Sequence, residues 1–199
     1  MKYINPIFFI LLPLVLGSST YQIQQESESS MKFNVTIEQN GVQKIIKNSE
    51  VALKPETFDI VFEFSKPMSV LVNASFNNKT FKLASKNAHL DKLPGFIELG
   101  MAEGLNNSEM NLFIDDESPN FWFYDNDEFN RFNSIEKRGD KIICKRTIES
   151  LYVPESKTTM KMKDIKKPVY LVFVSYHDGE KSEERIEVQR QYLKIKWEE

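Results

Sequence analysis

The chain has very little cysteine and histidine. Its 199 residues contain one cysteine, Cys144, and two histidines, His89 and His177. A single cysteine excludes an intramolecular disulfide, and the Cys/His spacings typical of zinc sites are missing. A thiol nucleophile would need a histidine beside Cys144. Cys144 shares its predicted strand face with Ile142 and Ile148, however, which favours a thiol packed in the core. His177 precedes Asp178-Gly179 and is predicted to lie in a turn.

Neither sign of charge is in excess. The 26 basic and 29 acidic side chains are interspersed and give a net charge of -3. The molecule as a whole has no positive electrostatic field that would attract polyanions, so we predict no nucleic-acid partner. The most basic segment runs from Lys157 to Lys167. It is interpreted as an edge strand whose lysines oppose aggregation, with an anionic-surface patch as the alternative.

Motifs for phosphate, nucleotide or serine chemistry are also missing. The sequence has no glycine-rich phosphate loop, no Gly-x-Ser-x-Gly elbow and no dinucleotide fingerprint. No cofactor is therefore predicted.

The one apolar run near the start is short. Residues 7–16 are apolar, Lys2 precedes them and the small residues of 17–20 follow. This order is typical of a secretory signal peptide, and the run falls short of the roughly 20 apolar residues of a membrane-spanning helix. We predict a signal peptide over 1–19 and a secreted or periplasmic protein. No cysteine stands at the cleavage zone, so no lipid anchor is expected.

The rest of the chain is expected to form one domain. Residues 20–30 are polar and predict a flexible tether. Residues 31–199 are numerous enough for a single hydrophobic core.

Alternating apolar residues predict strands. They mark 33–37, 58–64, 141–148 and 168–176, and Asn40-Gly41 is a strong hairpin signal. A change of phase along the last strand predicts a bulge near 189–191. We predict a mostly β, antiparallel sandwich of immunoglobulin-like architecture with an irregular or short-helical insertion near 80–110. A closed β-barrel is the alternative.

The densest aromatic cluster supplies the candidate binding site. Within 121–124, Trp122 and Tyr124 would face one side of a strand, and Asp125 and Asp127 follow. An exposed Trp/Tyr pair beside carboxylates suits sugar stacking or a protein hot spot. Burial of that pair in the core is the alternative.

The acids around this cluster are weak calcium candidates. Oxygen ligands could come from Asp115, Asp116, Asp125 and Asp127. The second acidic run lacks the glycine and the final glutamate of an EF-hand loop, so solvated loop acids are the favoured interpretation and no metal site is assigned.

Four Asn-x-Ser/Thr sequons are present. They begin at Asn34, Asn73, Asn78 and Asn106. They become glycosylation sites only in a host that modifies exported chains.

These features favour a non-catalytic binding or accessory module for a protein or glycan. Two alternatives stay open: a hydrolase using carboxylates of 98–128, with or without calcium, and a structural envelope component. Whether the chain is an enzyme is left undecided, with a binding role favoured.

Overall fold

The fold was examined in a computed structural model. It describes residues 32–66, 69–83, 111–113, 119–123, 132, 134–153, 156–178 and 185–198. For 111–113 and 119–123 the description is of the backbone.

Strands dominate these residues. In chain order they are β1 Phe33–Gln39, β2 Val42–Lys44, β3 Glu50–Leu53, β4 Phe58–Phe64, β5 Ser69–Ser75, β6 Asn111–Phe113, β7 Pro119–Phe123, β8 Ser134–Arg138, β9 Lys141–Ile148, β10 Ser150–Val153, β11 Thr158–Lys161, β12 Val169–Asp178 and β13 Arg185–Trp197. One α-helix, α1, covers Asn78–Leu83, and a 3-10 turn covers Met162–Asp164.

Two five-stranded sheets form the sandwich. The front sheet has the order β2-β1-β4-β9-β8, and the back sheet has the order β3-β13-β12-β5-β7. A smaller side sheet has the order β11-β10-β6. The described strands of the two large sheets end in edges and do not close into a barrel, so the predicted sandwich is confirmed and its barrel alternative is wrong.

Most pairings are antiparallel, with two exceptions. Strand β3 runs parallel to β13, and β6 runs parallel to β10. Both pairings join segments far apart in sequence, as parallel strands require.

The core fills the space between the front and back sheets. Phe62 of the front sheet meets Phe173 of the back sheet at 5.6 Å between ring centroids, in an edge-to-face arrangement. Alternate residues of β4, β5, β9 and β12 supply much of the core, because successive side chains in a strand point to opposite faces, and β1, β3 and β13 add further residues.

Side-chain amides close one edge of this sandwich. The Phe33 amide N–H donates to Oε1 of Gln189 over 2.8 Å. Its carbonyl accepts from Nε2 of Gln189 and Nε2 of Gln191, each over 2.9 Å. We call this set the amide latch, and it joins the first strand to the last.

The first hairpin forms as predicted. Gln39 pairs with Val42, and both Asn40 and Gly41 have positive φ angles, 55° and 74°. Two positive φ angles define the type I′ turn that Asn-Gly favours.

The predicted turn at His177 is wrong at its first residues. His177 pairs with Ile186 and Asp178 with Arg185, so both belong to β12. Strand β12 extends two residues beyond its predicted end because the backbone of β13 pairs with it there.

The predicted irregularity in the last strand lies at Val188, one residue before the expected stretch. Gln189 pairs with Ser175 and Glu187 pairs with Tyr176, which leaves Val188 as the extra residue. The bulge puts Glu187 and Arg190 on the same face, although residues three apart in a regular strand point to opposite faces.

The predicted edge strand with lysines is also present. Strand β11 lies at the outer side of the side sheet and pairs with β10 alone among the described strands. Within the described part of the chain, no helix has the length and apolar character needed to cross a membrane.

Candidate functional site

Of the predicted aromatic and acidic site, one residue falls within the described backbone. Trp122 lies in β7 at the register position opposite Val70, whose own side chain is buried in the core. Tyr124, Asp125 and Asp127 lie outside the described residues. The binding role assigned to this group therefore stays a prediction.

The candidate calcium ligands share that status. Asp115 and Asp116, like Asp125 and Asp127, lie outside the described residues. Within the described ranges, no three His, Cys, Asp or Glu side chains come close enough together to hold a metal ion.

Cys144 is a core residue, as predicted. Its side chain is 0% exposed and faces inward beside Phe62, its partner in β4. Burial raises the pKa of the thiol to about 12. At neutral pH the thiol therefore stays protonated, whereas nucleophilic attack needs the thiolate.

Three of the four sequons lie in the described residues, and they differ in accessibility. Asn34 and Asn78 are exposed. Asn73 is 2% exposed, and neither its amide nitrogen nor its amide oxygen has a hydrogen-bond partner among the described residues. A glycan on Asn73 is incompatible with this fold. Asn106 lies outside the described residues.

Polar side chains cover the outer side of the front sheet, which we call the polar sheet face. Strand pairing arranges its side chains in rows across the sheet. The rows are Glu38, Asp59 and Thr147; then Thr36, Val61, Lys145 and Ser134; then Asn34, Glu63, Ile143 and Glu136; and last Lys141 with Arg138.

Ion pairs connect neighbouring strands on this face. Lys145 Nζ lies 2.6 Å from Glu38 Oε2 and 3.4 Å from Asp59 Oδ2, so one lysine of β9 holds carboxylates of β1 and β4. Thr147 Oγ1 donates to Asp59 Oδ1 over 2.7 Å. The Asp59 carboxylate is therefore held by both Lys145 and Thr147.

The other end of the face is held in the same way. Lys141 Nζ lies 2.6 Å from Glu63 Oε1, which joins β9 to β4. On β8, the Arg138 guanidinium donates to both oxygens of Glu136, over 3.0 Å and 2.8 Å. Bidentate pairing of this kind fixes the orientation of both side chains.

The ion pairs surround a depression with an aliphatic floor. Its volume is about 730 Å³, and Val61, Ile143 and Thr36 are among the residues that line it. Val61 is 8% exposed although it points away from the core. The surface thus combines a small apolar centre with a charged surround.

Hydrogen bonds on the face shift the pKa values of Glu136, Arg138, Lys141 and Lys145. The hydrogen bond from Arg138 keeps the pKa of Glu136 below its ordinary value, and the bond to Glu136 raises the pKa of Arg138. Hydrogen bonds to Glu63 and Glu38 raise the pKa values of Lys141 and Lys145. All these shifts move the groups away from neutral pH, whereas a general acid or base works best with a pKa near it.

Sequence reasoning did not identify this face. Its residues come from strands separated by many positions, and the pairing order that assembles them is not written in any local motif. The alternating charged and aliphatic residues of 141–148 were the available signal.

Neither a protein-family model, nor a curated protein, nor a solved structure matches this chain.

Proposed function

We propose that this protein is a non-catalytic binding module that recognises a protein ligand through the polar sheet face. The observation that carries the proposal is the set of oriented charges of both signs around Val61 and Ile143. Protein interfaces commonly place an apolar centre inside a polar rim.

The dimensions of the face agree with this role. Five strands at a spacing of about 4.8 Å cover roughly 19 Å. A patch of this width accommodates part of a folded partner and exceeds the size of a small metabolite.

The chemistry of the face favours a protein over a glycan. Its described side chains are charged, hydroxylic, amide or aliphatic, whereas sugar recognition commonly uses aromatic rings as stacking platforms. Charges of both signs in a fixed pattern select partners through electrostatic complementarity.

The proposal includes export. The signal peptide predicted over 1–19 directs the chain out of the cytosol, so the ligand is met in the periplasm or the medium.

Charge reversal on the face tests the proposal. Arg138 and Lys141 are largely exposed, so R138E/K141E leaves the core residues in place. It removes the ion pairs with Glu136 and Glu63 and places like charges against the partner, and circular dichroism checks that the variant folds. We expect capture of a specific protein from the producing organism's extracytoplasmic fraction to fall at least roughly tenfold, since like-charge contacts cost several kcal/mol at an interface. Captured proteins are quantified by mass spectrometry.

The matched control is K47E/K79E, which changes the net charge equally at two exposed lysines away from the face. The control should capture the same protein as the unmodified chain. Equal capture by both variants, or an equal loss in both, would overturn the assignment of this face.

A further inference from the structure

Lysines crowd the segment that leads from the side sheet to β12. Lys157, Lys161, Lys163, Lys166 and Lys167 are all exposed, and we call them the lysine ridge. Asp164 is the acidic residue within 157–167. The segment therefore carries a local positive charge in a protein whose overall net charge is -3.

Protection of a sheet edge accounts for part of the ridge. Strand β11 ends at Lys161, so Lys157 and Lys161 flank the edge strand. Lys163 lies in the 3-10 turn, and Lys166 and Lys167 lie between that turn and β12. These three have no strand edge to protect, and their concentration calls for another cause.

The ridge is fixed to the body of the protein. Met162 and Ile165 are buried in the core between the lysines, and the Ile165 amide donates to the Met162 carbonyl over 3.1 Å. Because these two residues point inward, the lysines that flank them point outward. The positive charges are thus presented from an ordered backbone.

The ridge differs in its pairing from the lysines of β13 and of the polar sheet face. On β13, Lys194 and Lys196 are both paired with Glu50, and the lysines of the polar sheet face are paired as well. No carboxylate of the described residues lies within ion-pair distance of a ridge ammonium, and Lys166 instead donates to the Lys163 carbonyl over 3.4 Å. The ridge charges remain available to a ligand.

The kind of cation indicates the kind of ligand. Every cation of the ridge is a lysine, a compact point charge that suits diffuse anionic fields better than bidentate recognition. Half-buried Trp197 packs against Phe58 of the core, and its indole N–H donates to the Lys167 carbonyl over 2.8 Å, so it holds the end of the ridge in place. Clusters of about four to eight basic side chains attract the anionic headgroups of a lipid surface.

We propose that the lysine ridge is a binding surface for an anionic lipid bilayer, whose phosphate headgroups supply the negative charge. This inference is independent of the protein ligand proposed for the polar sheet face.

Flotation with lipid vesicles tests the proposal. The protein is mixed with vesicles of phosphatidylcholine alone or with added phosphatidylglycerol. We expect binding to the anionic vesicles and its loss between 0.15 M and 1 M salt, where the screening length falls from about 8 Å to about 3 Å. The neutral vesicles measure any binding that does not depend on lipid charge, so the difference between the two vesicle types isolates the contribution of charge.

Two variants of equal charge locate the surface. K161Q/K163Q/K166Q should weaken binding roughly 100-fold, at about fivefold per lysine. K47Q/K79Q/K137Q removes three exposed lysines elsewhere and should bind within a few-fold of the unmodified protein. Circular dichroism checks that both variants fold, and the salt series on the unmodified chain needs no variant.

Three results would overturn the proposal. They are absent flotation of the unmodified protein with anionic vesicles, equal weakening by both variants, and binding to dextran sulfate without binding to vesicles. The last result would assign the ridge to a soluble polyanion.

Discussion

The Cys144 thiol shows how burial sets the chemistry of a single residue. Its folded pKa of about 12 exceeds the ordinary value of 9.0. Folding therefore favours the protonated thiol. The stabilisation is fully present below pH 9 and is lost as the pH rises from about 9 toward 12, because the unfolded chain ionises first.

We expect the difference in unfolding free energy between the unmodified chain and C144A to shrink as the pH rises from 8 to 10.5. Alanine cannot ionise, so it removes the thiol's contribution while leaving the lysine ion pairs in place. Urea denaturation of both proteins at each pH measures this difference. A difference that stays constant with pH would show that the thiol ionises equally in both states.

The Arg190 and Glu187 pair is the most deeply buried ion pair among the described residues. The guanidinium donates to both carboxylate oxygens, over 3.0 Å and 2.6 Å, and the side chains are 2% and 5% exposed. Arg190 also bonds the neighbouring Tyr192 phenol, whose pKa is raised by burial. Removal of one member leaves a buried charge without its main partner.

We expect E187Q and R190M each to reduce the free energy of unfolding by about 3 to 5 kcal/mol, since either removes the main partner of a buried ion. The double variant E187Q/R190M should lose clearly less than the sum of the two. Denaturant titration of the four proteins gives the coupling directly. Additive losses would show that the two charges do not depend on each other.

At the scale of the strand, the bulge at Val188 is what allows this ion pair. Deletion of Val188 would restore regular alternation and leave Glu187 and Arg190 two positions apart, so both would stay on the same face. We expect the deletion to keep the ion pair and to cost less than the roughly 3 kcal/mol of a broken buried pair. The comparison is E187Q, which keeps the bulge and breaks the pair, so it should cost more. Thermal melts of both proteins separate the loss of the bulge from the loss of the ion pair.

Elements whose signal is local could be predicted from sequence. The alternation of Phe58, Ile60, Phe62 and Phe64 and the Asn40-Gly41 turn each specify a conformation within a few residues. The parallel pairing of β3 with β13 could not be predicted, because it depends on how both strands pack in the assembled core. Strand β8 could not be predicted either. Its residues are mostly exposed, so it lacks the apolar alternation that marks a strand in the sequence.

At the scale of the whole molecule, the polar sheet face depends on register. Glu38 meets Lys145 across 107 positions of sequence, and Asp59 meets Thr147 across 88. A shift of one residue in either strand would turn these side chains toward the core. The amino-acid composition alone therefore cannot locate such a site, although it includes every residue type that the site uses.

The two proposed surfaces lie on different elements. The polar sheet face belongs to the front sheet, and the lysine ridge follows the edge of the side sheet. The ridge variant should retain capture of the protein ligand, and the face variant should retain flotation with anionic vesicles. Each experiment therefore serves as a folding control for the other.

The amide latch has a consequence for how the chain acquires its fold. Phe33 is joined to Gln189 and Gln191, 156 and 158 positions later. Contacts of such high sequence separation form slowly, because a long loop must close before they are made. During synthesis β1 emerges long before β13, so the sandwich stays incomplete until the carboxyl end is available. For the export predicted from residues 1–19, this delay would keep the chain unfolded until it reaches a translocation channel.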